Sequence, residues 1–307
     1  MSARTAGGPQ ATAPAAGAET PFRRFAADFA ASAVAVTALV TFVAIVLIAL
    51  FGPLLTPQNP YDLAQLSLWD SGLPPGSVGT DGQVYLLGTD DQGRDMVSAI
   101  VYGLRISLGV AISSGVIALV VGTTAGIVAG YFGGRIDSVI MRIVDMQLAF
   151  PAVLVALILL AVLGRGVDKI IFALVAVQWA YYARTVRSSA VVERRKEYIA
   201  AARCLSLGAA RIVFRHLLPN CLAPLIVLAT IEVASAVALE ATLSFLGVGL
   251  PVTEPSLGLL ISNGYQYMLS GRYWLSFYPG VALLITIVSI NLVGDQLRDV
   301  LNPRLER

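Results

Sequence analysis

Apolar residues along this 307-residue chain come in long unbroken runs rather than in the alternating pattern of a half-buried strand or the one-sided pattern of a soluble helix. The first run covers about 29–51, enough at 1.5 Å per residue to cross a hydrocarbon core of ~30 Å. It exceeds the roughly 7–15 residues of a signal-peptide core, so it reads as a retained span. Further runs lie at about 106–129, 149–163, 170–182, 221–245 and 278–293. The run at 149–163 is short. Starting it near Val139 takes Arg142 and Asp145 into its inner end as an i,i+3 packing pair. The pattern predicts an all-α integral membrane protein with about six transmembrane helices.

The segments between the runs divide the chain. Residues 1–28 are rich in small residues and proline and are expected to form a disordered tail. A loop at 52–104 and a second at 246–277 are expected outside. A core at 105–297 holds the other five helices and a loop at 184–220, and 298–307 forms the last tail.

Composition supports this reading, with 57% hydrophobic and 13% charged residues against about 25% charged in an ordinary soluble domain. A net charge of +2 gives no reason to expect a nucleic-acid partner. The placement of charge says more. Arg184, Arg187, Arg194, Arg195, Lys196, Arg203, Arg211 and Arg215 crowd one loop against Glu193 and Glu197, which places that loop in the cytoplasm. Arg23, Arg24, Arg135, Arg298, Arg304 and Arg307 fall on the same side of an even number of spans, so both termini are expected to be cytoplasmic. Asp62, Asp70, Asp81, Asp90, Asp91 and Asp95 fall on the other side. Cys204 and Cys221 then lie in a reducing compartment that disfavours structural disulfides and read as small apolar residues. Gly122, Gly126, Gly130 and Gly134 repeat every four residues, a spacing that lets helix backbones approach closely.

Enzymatic signatures are lacking. The only lysines, Lys169 and Lys196, follow no glycine, so no phosphate-binding G-x-x-x-x-G-K-[ST] loop exists. H-E-x-x-H and C-x-x-C spacings are also missing, and His216 is the sole histidine. The expectation is a chain without a cofactor or a catalytic site of its own. Inside the membrane, Glu232 and Glu240 each cost roughly 2.5–3.5 kcal/mol at mid-bilayer and are candidates for the solute path, a gate or an interhelical bond. An ion-coupled secondary transporter also needs buried carboxylates, but it leaves the basic loop unexplained.

That loop carries the most specific signal. From Glu197 to about Leu205 the residues favour a short helix, with Ser206 and Gly208 as stop and turn. Ala201, Ala202 and Leu205 are expected to form a small apolar face, with Glu197 and Arg203 around it. The stretch 197–220 resembles the cytoplasmic coupling loop of ATP-binding-cassette importer permeases, which reads E-A-A-x-x-x-G and then I-x-L-P. Aligned on Leu218-Pro219, the triplet is Ala200-Ala201-Ala202; Ala200 replaces the usual glutamate, Ser206 the usual glycine and His216 the usual isoleucine. Leu87-Gly88-Thr89-Asp90-Asp91-Gln92-Gly93-Arg94-Asp95, the run 240–249 and Asn291 to Arg304 are similar to blocks of the C-type permease in the dipeptide and oligopeptide branch. Leu257 stands where that branch often has tryptophan.

The resemblance covers about 25–307 and implies a type I importer permease in the cytoplasmic membrane of a bacterium. Its implied partners are a second, homologous permease, two cytoplasmic ATPases, an exported solute-binding protein and the lipid bilayer. Glu197, Tyr198, Ala200, Ala201, Ala202, Arg203, Leu205, Ser206 and Gly208 would dock on one ATPase. Residues 253–278, with Tyr265, Tyr267, Tyr273 and Trp274, would face the binding protein or anchor at the interface. The implied cargo is a di- or oligopeptide, with nickel chelates, glutathione or sugars as alternatives.

Overall fold

The computed structural model describes residues 21–301. Helix α1 (Pro21–Ala30) is followed by α2 (Ala33–Phe51) and an irregular segment holding the hairpin β1 (Ser77–Val78) and β2 (Val84–Tyr85). Next come α3 (Met96–Phe132), α4 (Gly134–Leu148), α5 (Ala152–Leu163) and α6 (Val167–Glu193). Three short pieces follow, α7 (Glu197–Cys204), α8 (Ala209–Ile212) and, past one π turn, α9 (Leu218–Asn220). The chain ends with α10 (Leu222–Phe245), α11 (Leu257–Tyr265) and α12 (Trp274–Leu301).

Among the described residues four helices are long and apolar enough to cross a membrane: α2 with the turn after it, α3, α10 and α12. The pair α4 and α5 makes a fifth candidate, bent by 89°. Helix α6 has 27 residues, about 40 Å, but Arg184 and Arg187 dilute its apolar run.

Several expected boundaries move, each for a local reason. Residues 21–28, expected in the disordered tail, are helical, because Phe29 buries against Val293, Leu297 and Val300 of α12. The expected outer loop ends at Met96 rather than residue 104. Asp95 caps α3 there, its carboxylate accepting from the Ser98 backbone N–H at 2.8 Å and from Ser98 Oγ at 2.7 Å. The run expected to be continuous from Val139 breaks at Phe150-Pro151, because proline brings no N–H and pushes the residue before it out of the helical region.

Helices α3 and α6 share the largest interface in the fold. A Cβ added at Gly122 would stand 2.6 Å from Tyr182 Cβ, one at Gly126 2.5 Å from the Ala183 carbonyl, and one at Gly130 2.6 Å from Ala190 Cβ. The glycine repeat is thus a packing stripe for three of its four members. Gly134 meets nothing within 4 Å and serves in the turn between α3 and α4.

On the other side of the bundle the motif at 87–95 is a structural knot. Arg94 and Asp90 are buried and paired at 2.9 Å, and Asp90 also accepts from the Gln92 and Arg94 backbone N–H groups at 2.8 Å. Arg94 reaches the Val252 carbonyl and Trp274 Nε1 donates to the Thr89 carbonyl, both at 3.4 Å, so the knot grips the segment around α11. Trp274 is therefore turned inward, while Tyr265 and Tyr273 stay exposed.

Gly126→Leu should separate α3 from α6 and cost about 1–3 kcal/mol or more, read as a lower unfolding temperature in detergent. Gly109→Ala, where nothing lies within 4 Å, should leave that temperature unchanged or raise it.

Candidate coupling surface and membrane cavity

Helix α7 forms where the composition places it, and its C-terminus closes in a Schellman motif. Leu207 N–H donates to the Ala202 carbonyl at 3.2 Å and Ser206 N–H to the Arg203 carbonyl at 2.9 Å. That motif requires a left-handed residue, and Ser206, at φ 56°, is the one non-glycine with positive φ among the described residues. The position where the resembling signature carries glycine is thus one whose backbone favours glycine. Gly208 has an ordinary φ of −60° and opens α8.

The apolar face of α7 differs from the one expected. Ile199 and Ala202 turn inward and pack with Ile212, Leu207 and Tyr131. Ala201 and Leu205 face outward, and Leu205 is 73% exposed. The triplet offered too many small residues to fix a face; Ile199, three residues before Ala202, is the larger apolar side chain and takes the core. The exposed surface includes Glu197, Tyr198, Ala200, Ala201, Arg203, Cys204, Leu205, Ser206 and Gly208.

Side chains rivet this helix to the bundle. Arg194 donates to the Gly130 and Tyr131 carbonyls at 3.1 and 2.8 Å, capping the C-terminus of α3. Arg203 lies 5.6 Å from the centre of the Tyr131 ring. Tyr198 donates to Glu193 at 2.7 Å and accepts from Asn220 at 3.2 Å, while Lys196 pairs with Glu193 at 2.6 Å. The Tyr198 hydroxyl is pushed up to about 12, first by burial and then by its bond to Glu193, so it remains a donor at neutral pH.

The expected Arg142–Asp145 pair does not form. Asp145 pairs with Arg184 of α6, and Arg187 holds Asp137 through two bonds of 2.9 and 2.6 Å. An aspartate on α4 meets a guanidinium reaching across from α6 in preference to one on its own helix. Arg142 is exposed.

The two membrane carboxylates have different surroundings. Glu240 is fully buried and accepts from Ser107 Oγ at 2.7 Å and Ser244 Oγ at 2.8 Å, which joins α10 to α3. Glu232 lines a cavity of about 360 Å³ between α5, α6 and α10, with Gln178, Tyr181 and Ser235. Gln178, a lone amide in an apolar run, donates to the Glu232 carbonyl at 2.7 Å. Neither cysteine is bonded: Cys204 is exposed and Cys221 buried.

This is the fold of a multi-pass membrane permease, with a capped helix displayed beside the bundle. Residues 122–307 match the family of binding-protein-dependent transport system inner membrane components, and residues 20–75 match the N-terminal TM domain of oligopeptide transport permease C. The chain is 36% identical over 288 residues to a di/tripeptide transport system permease protein of Pseudomonas aeruginosa, covering 94% of this chain and 93% of that one. It is 39% identical over 288 residues to the dipeptide transport system permease protein of Escherichia coli, covering 94% and 95%. In fold it is similar to a chain of the MetNI methionine ABC transporter in an inward-facing conformation, with TM-score 0.55, 22% identity, and coverage of 67% of this chain and 98% of that chain. The chain belongs to the family of binding-protein-dependent transport system inner membrane components. It is an inner-membrane permease component of a bacterial binding-protein-dependent transport system.

Ser206→Gly should relieve the left-handed strain and stabilise the protein by about 0.5–1 kcal/mol, measured as a higher unfolding temperature of the purified complex.

Proposed function

We propose that this chain imports di- or oligopeptides as one half of a heterodimeric permease, driven by separate cytoplasmic ATPases that dock on the surface around α7. The observation that carries the reading is the construction of α7. It is short, capped at its end and bonded to α3, α6 and the entry to α10, so a force applied to it is delivered to three long helices. An exposed Leu205 among small residues and charges suits a groove on a partner. The arginine-rich segment then lies in the cytoplasm, together with both termini, and the knot at 87–95 lies outside, where the cargo-delivering protein binds. ATP hydrolysis belongs to the partners.

The peptide cargo is supported by the names of the relatives, which carry similar lengths and share more than a third of their residues with this chain. Glu240 acts as a clamp between α3 and α10, and Glu232 faces the path. Arg142 takes no part in the packing pair, and Asp145 holds α4 to α6.

Leu205→Asp tests the docking surface without disturbing the chain's own packing, whereas Arg203 also lies over Tyr131. The substitution should weaken capture of the ATPase subunits about tenfold and remove ATP-driven uptake in proteoliposomes, with the unfolding temperature of the permease unchanged. Full retention of ATPase capture and uptake rejects docking at α7.

A further inference from the structure

Glu232 is the eleventh of the 24 residues of α10, about 15 Å from the start of that helix and far from either end. No basic side chain among the described residues lies within ion-pair distance of it. A carboxylate at that depth normally has a partner or faces a pathway, and Glu232 lines a cavity with no cation beside it, its polar neighbour there being the Gln178 amide.

The neighbouring amide sharpens the chemistry. Gln178 is 2% exposed, and its Nε2 is committed to the Glu232 backbone carbonyl at 2.7 Å. That bond fixes the amide plane and leaves Oε1 buried with no hydrogen-bond partner. Buried acceptors are ordinarily satisfied, and an orphan of this kind calls for an explanation. The two groups together present acceptors and a negative charge. The ligand that completes them is therefore a cation with several donors, and a primary ammonium has three N–H groups and one charge. Ala152 and Val153 of α5 and Val177 of α6 form apolar walls beside them, while Ser235 is exposed on the cavity's rim. The cavity, at about 360 Å³, falls within the 300–1,000 Å³ usual for small-molecule sites.

We infer that this cavity is a subsite for a primary ammonium group, with Glu232 as counter-ion and Gln178 Oε1 as a further acceptor. Resting on the peptide reading above, the group it takes is the terminal amine of the cargo as it crosses the bilayer. A sugar has donors without the charge, and an N-blocked peptide has neither the charge nor the three donors. Such a site would favour cargo with a free amine after the binding protein has released it.

The test uses the complete transporter carrying Ser235→Cys. Alkylation at position 235 is followed by peptide mapping, with free N-acetylcysteine as the control for the reagent. Ethylamine and L-alanyl-L-alanine should slow alkylation at 235 but not that of the free thiol, and N-acetyl-L-alanyl-L-alanine should not slow it. Adding Glu232→Gln should weaken the protection about tenfold, the loss expected for a charge-assisted contact. Glu232→Asp should retain part of it, and Gln178→Met should reduce it while leaving the carboxylate in place. Equal protection by the acetylated dipeptide, undiminished protection in Glu232→Gln, or no protection by either amine overturns the inference. ATP-driven uptake of L-alanyl-L-alanine by the native transporter is measured separately. Its absence would sink the peptide reading while protection by ethylamine would still establish the ammonium site.

Discussion

The close approach of α3 and α6 is the constraint from which the rest of the structure follows. In lipid, two apolar helices gain nothing by leaving water, so their association depends on dispersion contacts and interhelical bonds. Gly122, Gly126 and Gly130 allow the α3 backbone to lie against Tyr182, Ala183, Val186 and Ala190, where any side chain would hold the helices apart. That contact sets the height at which α6 leaves the bundle and brings Arg194 onto the last carbonyls of α3. It also places Arg184 and Arg187 opposite Asp145 and Asp137.

The two ends of the bundle are tied differently. Around Arg94 and Asp90 the bonds are buried and link the start of α3 to the segment near α11, so breaking that pair would leave a buried charge without its partner, costing about 3–5 kcal/mol. Around α7 the bonds are more exposed and include the Lys196–Glu193 pair, whose lysine is half-exposed, a contact worth about 0–1 kcal/mol. One end is held firmly, and the other is held by many weak bonds that can be exchanged one at a time.

Much of the architecture was legible in the chain. Membrane character, the longest runs, the glycine contact and the helix at 197–204 follow from length, spacing and propensity, which are local properties. The extension of α3 back to Met96 was hidden because Ser98, Tyr102 and Arg105 interrupt the apolar run, although Asp95 with Ser98 three residues later is a readable cap. Partner choice was not legible. Arg142 and Asp145 have the right spacing for a pair, but the competition from Arg184 exists only once α4 lies on α6. Ile199 is not singled out by a helix rich in small apolar residues; its packing against Tyr131 and Ile212 selects it. Gln178 carried a signal that composition could have flagged, a single amide in a span, but its link to Glu232 depends on the packing of α6 against α10.

The right-angle break at Phe150-Pro151 divides what the sequence writes as one segment into two mechanical parts. Helix α4 is strapped to α6 by two aspartates and so moves with the end of the bundle that leads into α7. Helix α5 begins at the break, and its first residues, Ala152 and Val153, wall the cavity that holds Glu232. Any tilt of α4 would therefore be turned through a right angle before it reached that wall, with a single imino acid as the pivot.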